Sequence, residues 1–313
     1  MKQKINEHGF NGFNGWQFDF QSKSVCIRAI RVPIKSVLVF ALCFLLLASC
    51  KKELDMTVHQ QTVLEGTTFN SIKAGRAWTI EVVQDEKCFV ELEYSAYLEP
   101  NLKCAVADDV LEIGFAVSGN LASGSVNKAI VHIVDFESLD LTGACKVSVN
   151  GSFGKSFTAL LDKESSCVGG TFLSGGDISL KGASSMKDYS GEGPFEITMD
   201  EDSHFVGNLS FPNAESQFSV TANNHSTFVN QSDCSVENVE IQVTDNSLIN
   251  MALTEIKASA KVEIESNSEA TIKVKNGANL MGKVVEKSTL YHYGNPVFAP
   301  DFVSDTTSFV KRL

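Results

Sequence analysis

The segment Ile241-Gln-Val-Thr-Asp-Asn-Ser247 recurs 21 residues later as Val262-Glu-Ile-Glu-Ser-Asn-Ser268. In both copies an apolar anchor, Val243 or Ile264, stands two residues after another apolar residue and four residues before a serine. The same pairing of an anchor with a small residue at +4 occurs eight times, at Leu141/Cys145, Leu161/Ser165, Leu180/Ser184, Met199/Ser203, Val220/Asn224, Val243/Ser247, Ile264/Ser268 and Val284/Ser288. Successive anchors are 20, 19, 19, 21, 23, 21 and 20 residues apart. A repeat of this length is typical of stacked β-coils.

Side chains alternate across a strand, so the anchor and the residue at −2 are expected to share one inward face. The residues at −2 are Leu139, Ala159, Ile178, Ile197, Phe218, Ile241 and Val262, and only Gly282 breaks the set. The small residue at +4 predicts a corner. A second inward face is expected at +6, at Val147, Cys167, Met186, Phe205, Ser226, Ile249, Ala270 and Leu290.

The sequence therefore predicts an all-β fold, a parallel β-helix or β-solenoid with coils of about 20 residues. At about 4.8 Å per coil, eight coils give a rod of about 40 Å. The alternative interpretation is an antiparallel β-sandwich of regularly spaced strands.

A secretion signal is predicted ahead of the repeats. Basic residues precede an apolar run over residues 36–48, which ends Leu47-Ala-Ser-Cys50. The run is short for a membrane-spanning helix and typical of a signal peptide. The last four residues resemble the lipobox of bacterial lipoproteins. That resemblance implies cleavage before Cys50 and acylation of its thiol, for example with palmitate; the alternative is an ordinary signal peptide followed by a chance cysteine.

Four segments are predicted along the chain. Residues 1–49 form an N-terminal extension and signal peptide, and because residues 1–27 are not signal-like, we expect translation to start downstream of Met1. Residues 50–65 are polar and predict a flexible tether. Residues 66–135 are predicted to form an N-terminal β segment, with a turn between two strands at Asp108-Asp109. Residues 136–313 contain the solenoid repeats.

Charge and cysteine usage exclude several functions. Residues 1–49 carry six of the 26 Lys and Arg residues and two of the 38 Asp and Glu residues, so residues 50–313 carry 20 against 36, a net charge of about −16. Such acidity argues against binding nucleic acid. The eight cysteines include no CxxC pair and have no histidine at metal-ligand spacing, so neither a zinc site nor another cofactor is predicted.

The order of these features resembles the head GIN domain family of auto-transporter adhesins. The residues that carry the resemblance are a Phe69-x-x-Ile72 opening, a strand ending Val82-Val-Gln84, the small polar corners, and the closing segment Tyr291-His-Tyr-Gly-Asn-Pro296. It extends over about residues 66–300, although the Ser-Gly corners typical of the family are here replaced. The resemblance implies a right-handed parallel β-helix at the cell envelope.

Stacking places equivalent residues in columns along the coils. Asp202, Asn223, Asn246 and Asn267 fall at +3 and predict a polar column. Such columns are usually structural, because stacked amides bond to one another and to the turn backbone. The alternative is that this column binds glycan hydroxyl groups. His204 and His225 both fall at +5, where a metal-bridging pair is conceivable, although solvated histidines are the commoner outcome.

No catalytic residues are predicted. Residues 50–313 contain only two arginines, Arg76 and Arg312. No cluster of acidic residues therefore recurs beside an arginine that could stabilise the developing anion in a polysaccharide lyase. The predicted function is therefore a non-enzymatic protein, anchored at the cell envelope (the outer membrane) by lipid on Cys50, that acts as an adhesin or binds a glycan or protein ligand. The alternatives are a structural envelope protein that docks a protein partner and, less favoured, a glycan-active β-helix enzyme.

Overall fold

The computed structural model describes residues 53–116, 119–213 and 217–313. The predicted signal peptide, residues 1–49, and the predicted lipidation site Cys50 lie outside these ranges. Nearly all the regular secondary structure of the described chain is β-strand. The strands of the N-terminal part are β1 (Val58–Val63), β2 (Ser71–Gly75), β3 (Thr79–Gln84), β4 (Phe89–Ser95), β5 (Leu102–Ala107), β6 (Val110–Phe115) and β7 (Asn127–Ile133). A 3-10 helix over Ala96–Asn101 joins β4 to β5.

Strands β8 to β25 lie in the repeat region. The first ten are β8 (Ser138–Thr142), β9 (Lys146–Phe153), β10 (Phe157–Leu161), β11 (Ser166–Phe172), β12 (Gly176–Leu180), β13 (Ser185–Glu192), β14 (Phe195–Met199), β15 (His204–Ser210), β16 (Gln217–Ala222) and β17 (Thr227–Asn230). The others are β18 (Cys234–Val243), β19 (Leu248–Ile264), β20 (Glu269–Val274), β21 (Asn279–Val284), β22 (Thr289–Tyr293), β23 (Val297–Phe298), β24 (Val303–Ser304) and β25 (Phe309–Arg312). No helix in the described ranges is long and apolar enough to cross a bilayer.

Parallel pairing between coils confirms the predicted β-solenoid, with about nine turns of about 20 residues. Face A contains the anchor strands, in the order β6, β2, β8, β10, β12, β14, β16, β18, β19 and β21. Face B contains the +6 strands, in the order β7, β3, β9, β11, β13, β15, β17, β19, β20, β22 and β25. The sandwich alternative is wrong, because consecutive coils pair in parallel.

The residues that the repeat places inside form one continuous apolar core, in which Leu141, Val243 and Ile249 are fully buried. Its middle coils contain an aromatic cluster of Phe136, Phe153, Phe157, Phe172 and Tyr189. The Phe157 and Phe172 rings stack at 3.9 Å between centroids. Burial of these inward side chains from every coil is the main driving force for stacking.

One coil is two residues out of the predicted register. Val220 pairs with Ile241, so the residue in register with anchor Val243 is Ala222. The corner serine of this coil is then Ser226 instead of Asn224, and Phe228 replaces Ser226 on face B. The error arises because a two-residue shift keeps the same side chains pointing inward, so the burial pattern is the same in both registers.

The N-terminal part contributes a coil formed by β2 and β3, which the repeat pattern did not reveal. In β2 and β3, Ile72 pairs with Leu139 and Ile80 with Val147, so both strands stack directly on the first predicted coil. On their other side they pair with β6 and β7. Strand β5 then pairs antiparallel with β6, while β4 and β1 continue face B beyond β7 in antiparallel pairing. These antiparallel strands cover the end of the stack.

Two other N-terminal predictions have different outcomes. The Asp108-Asp109 turn is confirmed, since both residues have positive φ between the antiparallel strands β5 and β6. The tether predicted over residues 50–65 is corrected, because β1 lies within it and pairs with β4. Its sequence is polar because β1 is an edge strand whose side chains are mostly exposed.

Candidate functional site

The corner between faces A and B has the same backbone geometry in successive coils. Two consecutive residues adopt positive φ, as at Asp245 (55°) and Asn246 (61°), a conformation that asparagine and aspartate tolerate better than most residues. The second of the two donates its N–H to the carbonyl of the first in the next coil, as from Asn246 to Ser266 at 3.0 Å. We call the second position the corner column: Ala77, Ala144, Glu164, Ala183, Asp202, His225, Asn246, Asn267 and Lys287.

The predicted polar column is partly assembled. Asp202, Asn246 and Asn267 lie in the corner column, and Asn267 Nδ2 donates to Asn246 Oδ1 at 2.7 Å. Asn223 does not lie there, because the register of its coil is shifted by two residues and places His225 at that position. Asn223 Oδ1 instead accepts a hydrogen bond from Thr244 Oγ1 at 2.9 Å. The column is therefore interrupted between Asp202 and Asn246.

The same register shows that the metal-bridging pair considered for His204 and His225 does not form. His204 pairs with Thr227 on face B, whereas His225 lies in the corner column with φ of 64°. The two side chains therefore do not occupy equivalent positions in adjacent coils. Throughout the described part of the chain, no three His, Cys, Asp or Glu side chains are grouped closely enough to hold a metal ion.

The serines that follow the corner column point into the core and are not available to a ligand. Ser247, Ser268 and Ser288 are buried, and each hydroxyl oxygen accepts the N–H of the equivalent serine in the preceding coil, at 3.1–3.3 Å. Their role is to satisfy backbone groups that the corner removes from the strand ladders. These contacts favour the structural interpretation of the serine series.

The last corner contains a carboxylate with a strongly lowered pKa, that of Asp305. Asp305 accepts hydrogen bonds from the backbone N–H groups of Glu286 (2.7 Å) and Thr307 (3.0 Å). These bonds, together with the neighbouring Ser308 hydroxyl, lower the pKa of Asp305 to about 2. The shift has a structural cause, because every one of these partners belongs to the corner backbone or its capping hydroxyl groups.

A groove on the outer side of face B, near its N-terminal end, has the shape of a binding site. We call it the N-terminal groove. It has a volume of about 700 Å³ and is lined by Gln60, Gln61, Thr62, Thr79, Ile80, Glu81, Glu91, Leu92, Glu93, Lys128, Ala129, Ile130 and Ser148. The lining comes from β1, β4, β7, β3 and β9. This volume lies within the range of small-molecule sites in proteins.

Strand register places the outward side chains of the groove in two rows. One row runs Gln60, Glu93, Lys128 and Thr79, and the other runs Thr62, Glu91, Ile130, Glu81 and Ser148. Ile130 lies between Glu91 and Glu81 and is half-buried. The groove thus combines hydroxyl, amide and carboxylate groups around one apolar side chain.

Only part of the negative charge of the three glutamates in the groove is neutralised by a neighbouring cation. Lys128 Nζ lies 3.7 Å from Glu93 Oε2, and Asn150 Nδ2 donates to Glu81 Oε1 at 2.8 Å. Glu91 forms no hydrogen bond or ion pair with any residue that the structure describes. With three glutamates against one lysine, the groove carries a surplus of negative charge.

The sequence contained part of the signal for this groove. Alternation in Phe89-Val-Glu-Leu-Glu-Tyr94 places Glu91 and Glu93 on the outer side of a strand. The sequence did not indicate which strands pair with β4. The pairing of β4 with β1 and β7 joins residues that are distant in the sequence, and no repeat marks it.

Comparison with known proteins agrees with the fold. A family model described as "Putative auto-transporter adhesin, head GIN domain" matches residues 68–296. A solved structure of a "putative adhesin" from Parabacteroides merdae is 14% identical, with a TM-score of 0.53 over 82% of this chain and 96% of that one. Another from Parabacteroides distasonis is 16% identical, with a TM-score of 0.53 over 83% and 98%. No curated protein matches the sequence.

The two structural similarities, at such low identities, support the solenoid fold alone. The family match spans most of the sequence and includes the corner column and the part of the N-terminal groove that comes from β3, β4, β7 and β9, but not β1. An adhesin family indicates a protein of the cell envelope or cell surface. The chain therefore belongs to the auto-transporter adhesin family with a head GIN domain.

Proposed function

We propose that the protein is a lipid-anchored, non-enzymatic adhesin of the bacterial outer membrane, which binds a ligand through side chains on the outside of its solenoid. The observation that carries this proposal is the N-terminal groove, an open concave surface of about 700 Å³ on a rigid stack of paired strands. Rigid strands hold binding side chains at fixed spacing, which reduces the entropy lost on binding.

The chemistry of the groove favours binding over catalysis. Among the described residues that line it, the only cation is Lys128, which lies beside Glu93. Cleavage of a polysaccharide by elimination needs a positive group or a metal next to the carbon that loses its proton. The glutamates are instead suited to accept hydrogen bonds from a ligand.

Lipid anchoring is proposed from the Leu47-Ala-Ser-Cys50 motif. Two or three acyl chains would hold the protein stably in a membrane, whereas a single chain binds only marginally. The test is metabolic labelling with radioactive palmitate, followed by membrane fractionation. We expect Cys50→Ser to lose both the label and membrane association, while Cys43→Ser, in the same signal segment, retains both. Equal labelling of the two variants would contradict the anchor.

Adhesion is tested separately, on intact cells. We expect deletion of the gene to reduce attachment of the bacteria to a surface coated with envelope polysaccharide, and the wild-type gene to restore it. Protease treatment of intact cells should remove the protein if it faces outward. Unchanged attachment in the deletion strain would overturn the adhesin proposal, and release of shorter sugars by the purified protein would overturn its non-enzymatic part.

A further inference from the structure

We propose that the N-terminal groove binds an oligosaccharide that carries free amino groups. This inference rests on the proposed adhesin function and assigns a ligand class to it. Three features of the groove carry the inference: its place on the face of a sheet, its mixture of hydrogen-bonding groups, and its surplus of carboxylates.

The place of the groove favours a sugar over a peptide. Strands β4, β7 and β3 form the middle of its floor, and each is paired with a neighbour on both sides. Their backbone N–H and C=O groups are therefore already used in the sheet. A peptide that binds a sheet usually pairs with free backbone groups at an edge strand. A ligand in the middle of this groove meets side chains only.

The neutral side chains suit a polyhydroxylated ligand. Thr62, Thr79 and Ser148 provide hydroxyl groups that can donate or accept, and Gln60 provides an amide with both functions. Ile130, which lies between Glu91 and Glu81 in one of the two rows, offers an apolar surface to the C–H side of a sugar ring. Sugar hydroxyl groups have the same dual hydrogen-bonding character, so one ring can contact several of these side chains.

The charged side chains select the type of sugar. Glu91 and Glu81 lie on either side of Ile130, two strand spacings or about 10 Å apart, and Glu93 follows Glu91 on the same face of β4. An ammonium group beside these carboxylates would form charge-assisted hydrogen bonds. Sugars with carboxylate groups would be repelled by the same residues.

The experiment is titration calorimetry with the full chain in detergent and four tetrameric probes: glucosamine, N-acetylglucosamine, galacturonic acid and lysine. We expect the glucosamine tetramer to bind at least about tenfold more tightly than the N-acetylated one, as one or two charge-assisted hydrogen bonds would give. The galacturonic acid tetramer should not bind. Equal binding of the first two probes, or tighter binding of tetralysine than of the glucosamine tetramer, would overturn the proposal.

Matched variants separate the groove from the general acidity of the chain. The groove variant carries Glu81→Gln, Glu91→Gln and Glu93→Gln. The control carries Glu164→Gln, Glu196→Gln and Glu201→Gln, three exposed residues outside the groove, and has the same net charge. We expect the groove variant to weaken glucosamine binding at least about tenfold and the control to leave it unchanged. Equal losses in both would refute a groove-specific site.

The adhesin proposal and this inference can fail independently. Bacteria that carry the groove variant are compared with bacteria that carry the control in the attachment assay. If the groove variant attaches as well as the control does, the inference is wrong although the protein is still an adhesin. If deletion of the whole gene has no effect, the adhesin proposal itself is wrong.

Discussion

Tyr189 brings a polar atom into the most aromatic part of the core. Its ring stacks on Phe172 at 5.2 Å between centroids, and its buried hydroxyl group has no hydrogen-bond partner among the residues that the structure describes. Burial raises the pKa of this phenol, because the charged form would lose its hydration. An unpaired buried hydroxyl costs about 1–3 kcal/mol relative to an apolar group of the same shape.

Tyr189→Phe is therefore expected to stabilise the protein. Removal of the hydroxyl group should raise the free energy of unfolding by about 1 kcal/mol, measured by urea denaturation followed by circular dichroism. Tyr97→Phe is the control, because the Tyr97 hydroxyl accepts the N–H of Ala122 at 3.0 Å and contacts Ser125. That variant should be less stable than the wild type. A loss of stability in Tyr189→Phe would show that its hydroxyl has a partner in solution.

At the scale of the strand, Gly282 explains the one gap in the inward apolar series. It has φ of 108°, and a Cβ atom built on it would lie 1.9 Å from the carbonyl oxygen of Val262 in the preceding coil. The residue is glycine because the neighbouring coil approaches too closely for any side chain. The sequence marked this position as an exception, but the repeat alone could not give the cause, which lies in the neighbouring strand.

Gly282→Ala should consequently destabilise the fold. We expect the free energy of unfolding to fall by at least about 2 kcal/mol, because the methyl group would force β21 away from β19 and the backbone conformation is unfavourable for alanine. Gly114→Ala is the matched control, since Gly114 also lies in a strand but has open space around its Cβ position and no positive φ. Similar denaturant midpoints for the two variants would contradict this explanation.

At the scale of the whole molecule, the features set by the local repeat could be predicted from the sequence, and those set by pairing of distant residues could not. The inward positions and the corners follow from a local period, so the solenoid over residues 136–290 was predicted with one two-residue error. The pairing of β2 and β3 with strands on both sides joins residues up to 67 positions apart, such as Ile72 and Leu139, and has no local signal. The N-terminal groove is built by such distant pairing, and for that reason the sequence predicted individual glutamates but not the site.

Equivalence of the coils predicts that one complete coil can be removed. Deletion of residues 248–268 joins Ser247 to Glu269, the residue in register with Leu248, so β18 can pair with β21 and β17 with β20. We expect this variant to unfold in one cooperative transition at a lower Tm, because one set of nearest-neighbour contacts is lost. Deletion of residues 248–257 removes half a coil and should prevent folding. Thermal melts followed by circular dichroism distinguish the two, and equal behaviour would contradict the equivalence.

The place of β2 and β3 in the stack has a consequence for secretion. Although they come early in the chain, they lie between the coil of β6 and β7 and the coil of β8 and β9. A polypeptide that crosses a membrane with its N-terminus first would hold both strands without neighbours until residues 110–133 emerge on one side and residues 138–150 on the other. If the protein is exported in this way, the edges of β2 and β3 stay unpaired during that interval and are open to chaperones.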